Sequence, residues 1–291
     1  MEAKASPQNT PKTAAALGHI GSGQTCLVEV DLDGTTVGSV LRREIMAEKA
    51  ESLLGLSKGS INPKDIYVAA ESAGSFAFNK VWTQLVSDNL IIKEAVKNSG
   101  RKPTELSDEF KTLCSEAFCS KLENYIKNPN KYKKEIRELV ASGAPELLRA
   151  CHATGTPIVA VTNAENERIA KLTARLVEIK AGRRFTDVIY SNMQIDAEQL
   201  KKDRLGQEIA AGKTTDSEGK VALSGKPSAD MLLAGTRKTL FRAAATQVGM
   251  RWKKRRPATG QKPVVLMLGD QKSDRDAADA LKDRFIKLGA D

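Results

Sequence analysis

The chain has 291 residues, 41% of them hydrophobic and 28% charged, which is enough for one large domain or two modest ones with an ample core. The net charge is +10, but the basic residues are spread out and aromatics make up only 4%, which disfavours a base-stacking nucleic-acid platform. No stretch approaches ~20 uninterrupted apolar residues, so no membrane span is expected. Cys26, Cys114, Cys119 and Cys151 form no Cys-x-x-Cys pair and there are two histidines, which argues against a structural zinc site and for free thiols in a reducing, cytoplasmic setting.

Residues 1–24 begin "MEAKASPQNTPKTAAALG". They are poor in large apolar side chains and read as a disordered tail, without the apolar core of a secretory signal. The first strand is expected at 26–32, "CLVEVDL". Its apolar run ends in Asp31 and Asp33, two residues apart, followed by Gly34 and Thr35. Carboxylates that close repel, so a cation between them or a proton in transit is implied. A calcium loop would need Gly and Glu where Thr36 and Arg42 stand. A plain polar turn is the other reading of these six residues.

Roughly a hundred residues of helical pattern follow, too long for one crossover. They read as an inserted helical domain at about 37–142. Phe76, Phe78 and Trp82 are spaced for its core, with Cys114 and Cys119 buried nearby, and Tyr67 is no stronger as a substrate contact. Further strands are expected at 156–162, 186–191, 220–224 and 263–268, most of them continuous apolar runs. Helical stretches separate them. That pattern predicts an α/β fold, a doubly wound parallel sheet over 25–36 and 143–291.

Ligands of open parallel sheets bind beyond the carboxyl ends of the strands. There the chain collects Asp31, Asp33, Thr162, Asn163, Lys226, Asp270 and Asp274. Carboxylates suit a hard cation such as Mg²⁺, while a lysine and a hydroxyl suit phosphate oxygens. Asn163 reads either as a substrate contact or as a helix cap. Asp276 and Asp279 are expected on a solvated helix face, and His152 in a structural role.

The four segments, in order, resemble the haloacid dehalogenase-like superfamily. "VEVDLDGTTV" is similar to its first motif, "VAVTN" to the second, "GKPSADML" to the third and "VLMLGDQKSD" to the fourth. The resemblance covers about 25–50 and 140–291, and the inserted helices match the family's cap. It implies Asp31 as nucleophile and metal ligand, and Asp33 as general acid/base whose carbonyl also reaches the metal. Thr162 would bind phosphate, with Asn163 beside it, and Lys226 would hold nucleophile and phosphate. Asp270 and Asp274 would complete the Mg²⁺ site. A second aspartate at 33 points to a phosphatase or phosphotransferase, because a halide leaving group needs no proton.

The implied activity is hydrolysis of a small phosphorylated metabolite beneath a closing cap. Two alternatives stay open: transfer to a specific acceptor such as a protein, and an inactive scaffold that binds a partner. The long interval before Asp270 carries Lys253, Lys254, Arg255 and Arg256. It reads as a solvated loop, or as a nuclear signal or anion-binding patch, or with the tail as a mark of export into a host cell.

Overall fold

The computed structural model describes residues 25–74, 76–164, 166–245, 264–269 and 272–287. The expected tail at 1–24, the basic run at 253–256 and Asp270 lie outside them. The chain divides into two compact units, Gly38–Glu135 and the remainder.

The larger unit is built on a four-stranded sheet. Strand β1 is Thr25–Asp31, β2 is Ile158–Thr162, β3 is Asp187–Tyr190 and β6 is Val264–Leu268. Their order is β3-β2-β1-β6, and each pairing is parallel. Val28 and Val30 point to one face of β1, and Leu27, Glu29 and Asp31 to the other. All five are buried, as is every residue of β2. A sheet buried on both faces needs helices on both, which is the doubly wound arrangement the apolar runs predict.

Helices α7 (Ala144–Thr154) and α8 (Glu167–Ala181) pack together between β1 and β3 in the chain. Asn166 caps α8, its side chain accepting the Ile169 N–H at 3.0 Å. Helix α11 (Asp230–Ala245) packs against β1, β2 and β3, and α12 (Lys272–Lys287) packs against α11 and β6. Leu27, Val159, Val161 and Ile189 form one core with Met231, Leu232, Leu233 and Ala277.

One expected strand belongs elsewhere. Strand β5, Lys220–Ala222, pairs antiparallel with β4, Gln194–Asp196, in a separate two-stranded sheet. Two short helices, α9 (Ala197–Leu200) and α10 (Arg204–Ala210), lie between them. The run at 220–224 looks like a parallel strand by composition, but its partner is a three-residue strand with no apolar signature of its own.

The smaller unit is all helical: α1 (Val40–Leu54), α2 (Pro63–Ser72), α3 (Phe78–Asp88), α4 (Leu90–Asn98) and α5 (Pro103–Lys127). Phe78, Trp82, Phe110 and Phe118 are buried at its centre, with Trp82 and Phe110 rings 4.6 Å apart. Cys114 and Cys119 are buried there too, whereas Tyr67 is 42% exposed and Phe76 half-buried. The chain re-enters the larger unit within α6 (Lys133–Leu139), earlier than residue 142. Val140 bridges antiparallel to Val37, Ala141 N–H donates to Thr36 O at 2.9 Å, and Lys180 Nζ donates to Val140 O at 2.9 Å. Among the described residues no helix is long and apolar enough to cross a membrane.

Glu29 breaks the apolar pattern of β1 without leaving the core. It is fully buried, its Oε1 lies 3.5 Å from the Thr236 hydroxyl, and its Oε2 has no partner among the described residues. Gly235 of α11 makes the room: a methyl there would sit 2.6 Å from Oε1. Burial raises the Glu29 carboxyl well above its ordinary value, more than the Thr236 hydroxyl lowers it. The unfolded chain releases this proton near ~4.3. Above that pH the fold keeps a proton that the unfolded chain has lost, so the stability Glu29 contributes falls as pH rises. Glu29→Gln should therefore raise the melting temperature at about pH 8 and do so progressively less toward about pH 5. Thermal melts across that range would read it, and a gain that does not vary with pH would mean Glu29 ionises freely in the fold.

Candidate active site

The strand order reverses beside β1: β2 and β3 extend the sheet on one side and β6 on the other. The crevice beyond the strand ends at such a reversal is where α/β sheets bind ligands. Asp31 is the last residue of β1 and Gly269 directly follows β6. The switch point is thus flanked by the segments that carry the first and fourth motifs.

Asp31 and Asp33 part company immediately. A tight turn follows β1, with Gly34 N–H donating to Val37 O at 2.8 Å and Val37 N–H to Leu32 O at 2.8 Å. Gly34 has φ +86°, a conformation that side chains disfavour. Asp31 stays 2% exposed, while Asp33 is half-buried and turned toward β2. There the Thr162 hydroxyl donates to Asp33 Oδ2 at 3.0 Å and accepts the Ala164 N–H at 3.0 Å.

Lys226 resolves the charge on Asp31. Its Nζ donates to Asp31 Oδ1 at 2.6 Å and also to Asp274 Oδ1, and all three residues are buried. Burial lifts the Asp31 carboxyl well above its usual range; the Lys226 ammonium opposes the shift, while the carboxylates of Asp274 and Asp33 add to it. Burial alone would lower the Lys226 ammonium, but Asp31 and Asp274 outweigh it and hold it above the usual lysine value.

The main chain at Lys226 is fixed by Asn163. Lys226 N–H donates to Asn163 Oδ1 at 2.8 Å, and Asn163 Nδ2 donates to Lys226 O at 3.5 Å. The helix cap is Asn166, not Asn163. A methyl on Gly225 would lie 2.8 Å from Asn163 Oδ1 and 2.9 Å from Ser191 Oγ, so glycine permits this approach. Ser191 sits at the end of β3, with its N–H donating to Thr162 O at 3.1 Å. Nothing in its local sequence marks it; only the parallel register of β2 and β3 brings it here. Asp279 is exposed and Asp276 half-buried, while His152 Nε2 contacts Arg184 O at 2.6 Å in a structural role.

Asp31, Asp33, Thr162, Asn163, Lys226 and Asp274 are thus linked in two short networks. Among the described residues no group of three or more His, Cys, Asp or Glu is set to hold a metal ion, and Asp270 lies outside them. The donor set fits a hard divalent cation in kind. Its members are carboxyl oxygens, and Asp31 and Asp274 share one ammonium in a buried place.

No family model matches the sequence, and no curated protein matches it. The chain is similar to a solved HAD-superfamily hydrolase of subfamily IA from Geobacter sulfurreducens, at 16% identity, covering 89% of this chain and 85% of that one with a TM-score of 0.42. The functional reading rests on the strand-end residues themselves.

Lys226→Met would leave the Asp31 carboxylate buried without its counter-ion. A loss of about 3–5 kcal/mol at neutral pH is expected from removing one partner of a buried pair. The loss should shrink on acidification, because protonation of Asp31 removes the unpaired charge. Urea denaturation of both proteins at neutral and acidic pH checks this, and a loss under about 1 kcal/mol would mean the three groups are solvated.

Proposed function

We propose that the protein is a Mg²⁺-dependent phosphatase that hydrolyses a small phosphorylated metabolite through an aspartyl-phosphate on Asp31. The observation that carries this reading is the buried Asp31–Lys226–Asp274 contact at the sheet's switch point, with Asp33 held apart from it by Thr162.

The two aspartates have the environments the two roles need. Asp31 is immobilised by Lys226, which aims one carboxylate oxygen and neutralises part of its charge. Its carboxylate attacks phosphorus, forming one P–O bond as the bond to the leaving oxygen breaks. Asp33, half-buried and with one oxygen on a hydroxyl, gives its proton to that leaving oxygen. Asp33 then accepts a proton from a water whose oxygen attacks phosphorus, and Asp31 is released as carboxylate. Thr162 holds Asp33 in place through its hydroxyl. Lys226 offsets negative charge on the transferring group.

Mg²⁺, held by Asp31, Asp270 and Asp274 with the main-chain carbonyl of Asp33, would supply the positive charge that keeps Asp31 ionised and draws electrons from the phosphate oxygens. The intact set of charged groups favours catalysis over an idle binding scaffold, because like charges gathered in a buried place are costly to keep.

Phosphate release from an aryl phosphate, with Mg²⁺ and with a chelator, tests the reading. Wild type should release phosphate only with the metal, and Asp31→Asn should lower the rate by at least about a thousandfold while unfolding at a similar or higher temperature. Wild-type turnover in Asp31→Asn would rule out the covalent route. Release without any added acceptor would set aside obligatory transfer to another molecule.

A further inference from the structure

The residues that hold Lys226 do not all lie in the four motifs. Lys213 follows α10, in the segment between β4 and β5 that sits outside the main sheet. Its Nζ donates to Ala222 O at 2.8 Å and pairs with Asp230 Oδ2. Asp230 Oδ2 also accepts the Ser224 N–H at 3.2 Å. The two side chains are 18% and 4% exposed, so this is a largely buried ion pair.

The three contacts fall on both sides of Lys226. Ala222 and Ser224 precede it, and Asp230 begins α11 just after it. One ammonium therefore closes the base of the loop whose tip presents the Lys226 side chain to Asp31 and Asp274. Burial would raise the Asp230 carboxyl, but the Lys213 ammonium and the Ser224 N–H hold it below the usual range. The segment carrying Lys213 is itself anchored. Arg237 Nε of α11 pairs with Asp203 Oδ2 at 2.8 Å, and Arg284 of α12 pairs with Glu208 Oε2 at 2.9 Å. Lys213 thus projects from a braced element onto the loop.

We infer that Lys213 is a positioning residue for Lys226: by joining the Ala222 carbonyl to Asp230 it sets the loop that places the Lys226 ammonium between Asp31 and Asp274. A buried ammonium aimed at two carboxylates tolerates little displacement, and small errors in placing a catalytic group cost large factors in rate. The effect on turnover rests on the phosphatase reading; the effect on Lys226 does not.

The test has two arms on Lys213→Met and Lys213→Arg. The first is labelling of lysines by an amine-reactive reagent, read by peptide mass spectrometry. Lys226 should be protected in wild type, become labelled at least about fivefold faster in Lys213→Met, and be protected again in Lys213→Arg, with the lysines of the helical unit unchanged. The second is turnover of the aryl phosphate with Mg²⁺. kcat should fall about tenfold in Lys213→Met with KM little changed, and Lys213→Arg should recover most of it. Unaltered protection of Lys226 in folded Lys213→Met overturns the inference whatever the rate does. Altered protection in a protein whose wild type releases no phosphate supports the inference and removes the phosphatase reading instead. Where Lys213→Met does not fold, Asp230→Asn carries both arms, since it keeps the size of the side chain and removes the charge that Lys213 meets.

Discussion

A lysine ammonium buried between two carboxylates is the interaction on which the rest of this site depends. Asp31 and Lys226 are 195 residues apart in the chain, and Lys226 and Asp274 are 48 apart. Three segments that meet only in the folded state are therefore joined at one nitrogen. Each member alone would be a buried charge costing several kcal/mol. Two carboxyl groups share that one ammonium in a place with little water to screen them, and burial still raises Asp31 despite it. A further positive charge beside the two carboxyls would favour their ionised forms.

The sheet explains why the three can meet. β1 lies in the interior of the order β3-β2-β1-β6, so its carboxyl end is flanked by β2 and β6. β2 brings Thr162 and Asn163 to the same edge, and β6 leads through Gly269 toward the start of α12, where Asp274 lies in the first turn. Lys226 comes from no strand of this sheet. It reaches the edge on a loop whose main chain is held by Asn163 and whose base is held by Lys213 and Asp230. A lysine supplied by a loop needs such bracing, because its side chain has many rotamers and a strand is not there to restrict its backbone.

Much of this was legible in the amino-acid order because strand ends leave a local signature. A β-branched apolar run that stops at Asp31, Thr162 or Gly269 is visible without any tertiary information, and so is the parallel, doubly wound class. What was not legible depends on contacts between distant segments. The run at 220–224 has the composition of a sheet strand, yet pairs with Gln194–Asp196, which is too short to show a period. The hydroxyl of Thr162 is spent on Asp33 and the amide of Asn163 on Lys226, and neither partner can be inferred from the neighbouring letters. Ser191 and Lys213 carry no motif at all. The same limit applies to Glu29, which as a letter suggests an exposed strand position and in the fold is buried behind a glycine of α11.

Glu29, Asp31 and Asp33 together show how one strand and its turn can set three carboxyl groups in three surroundings. Alternate residues of a strand share a face, so Glu29 and Asp31 lie on one side of β1, and Asp33 follows in the turn beside β2. Exposure rises along that line, from fully buried Glu29 to nearly buried Asp31 to half-buried Asp33. Their partners change with it: a distant hydroxyl for Glu29, an ammonium for Asp31, a hydroxyl at hydrogen-bond distance for Asp33. Burial without a counter-charge favours the neutral acid at Glu29, and that keeps a further negative charge away from Asp31. At Asp31 burial again raises the carboxyl, the Lys226 ammonium opposes that shift, and the contact fixes the direction of one carboxyl oxygen. Asp33 is the most exposed of the three. The different surroundings of the two aspartates follow from the depth at which each sits, and the depth follows from where β1 ends and the turn at Gly34 begins.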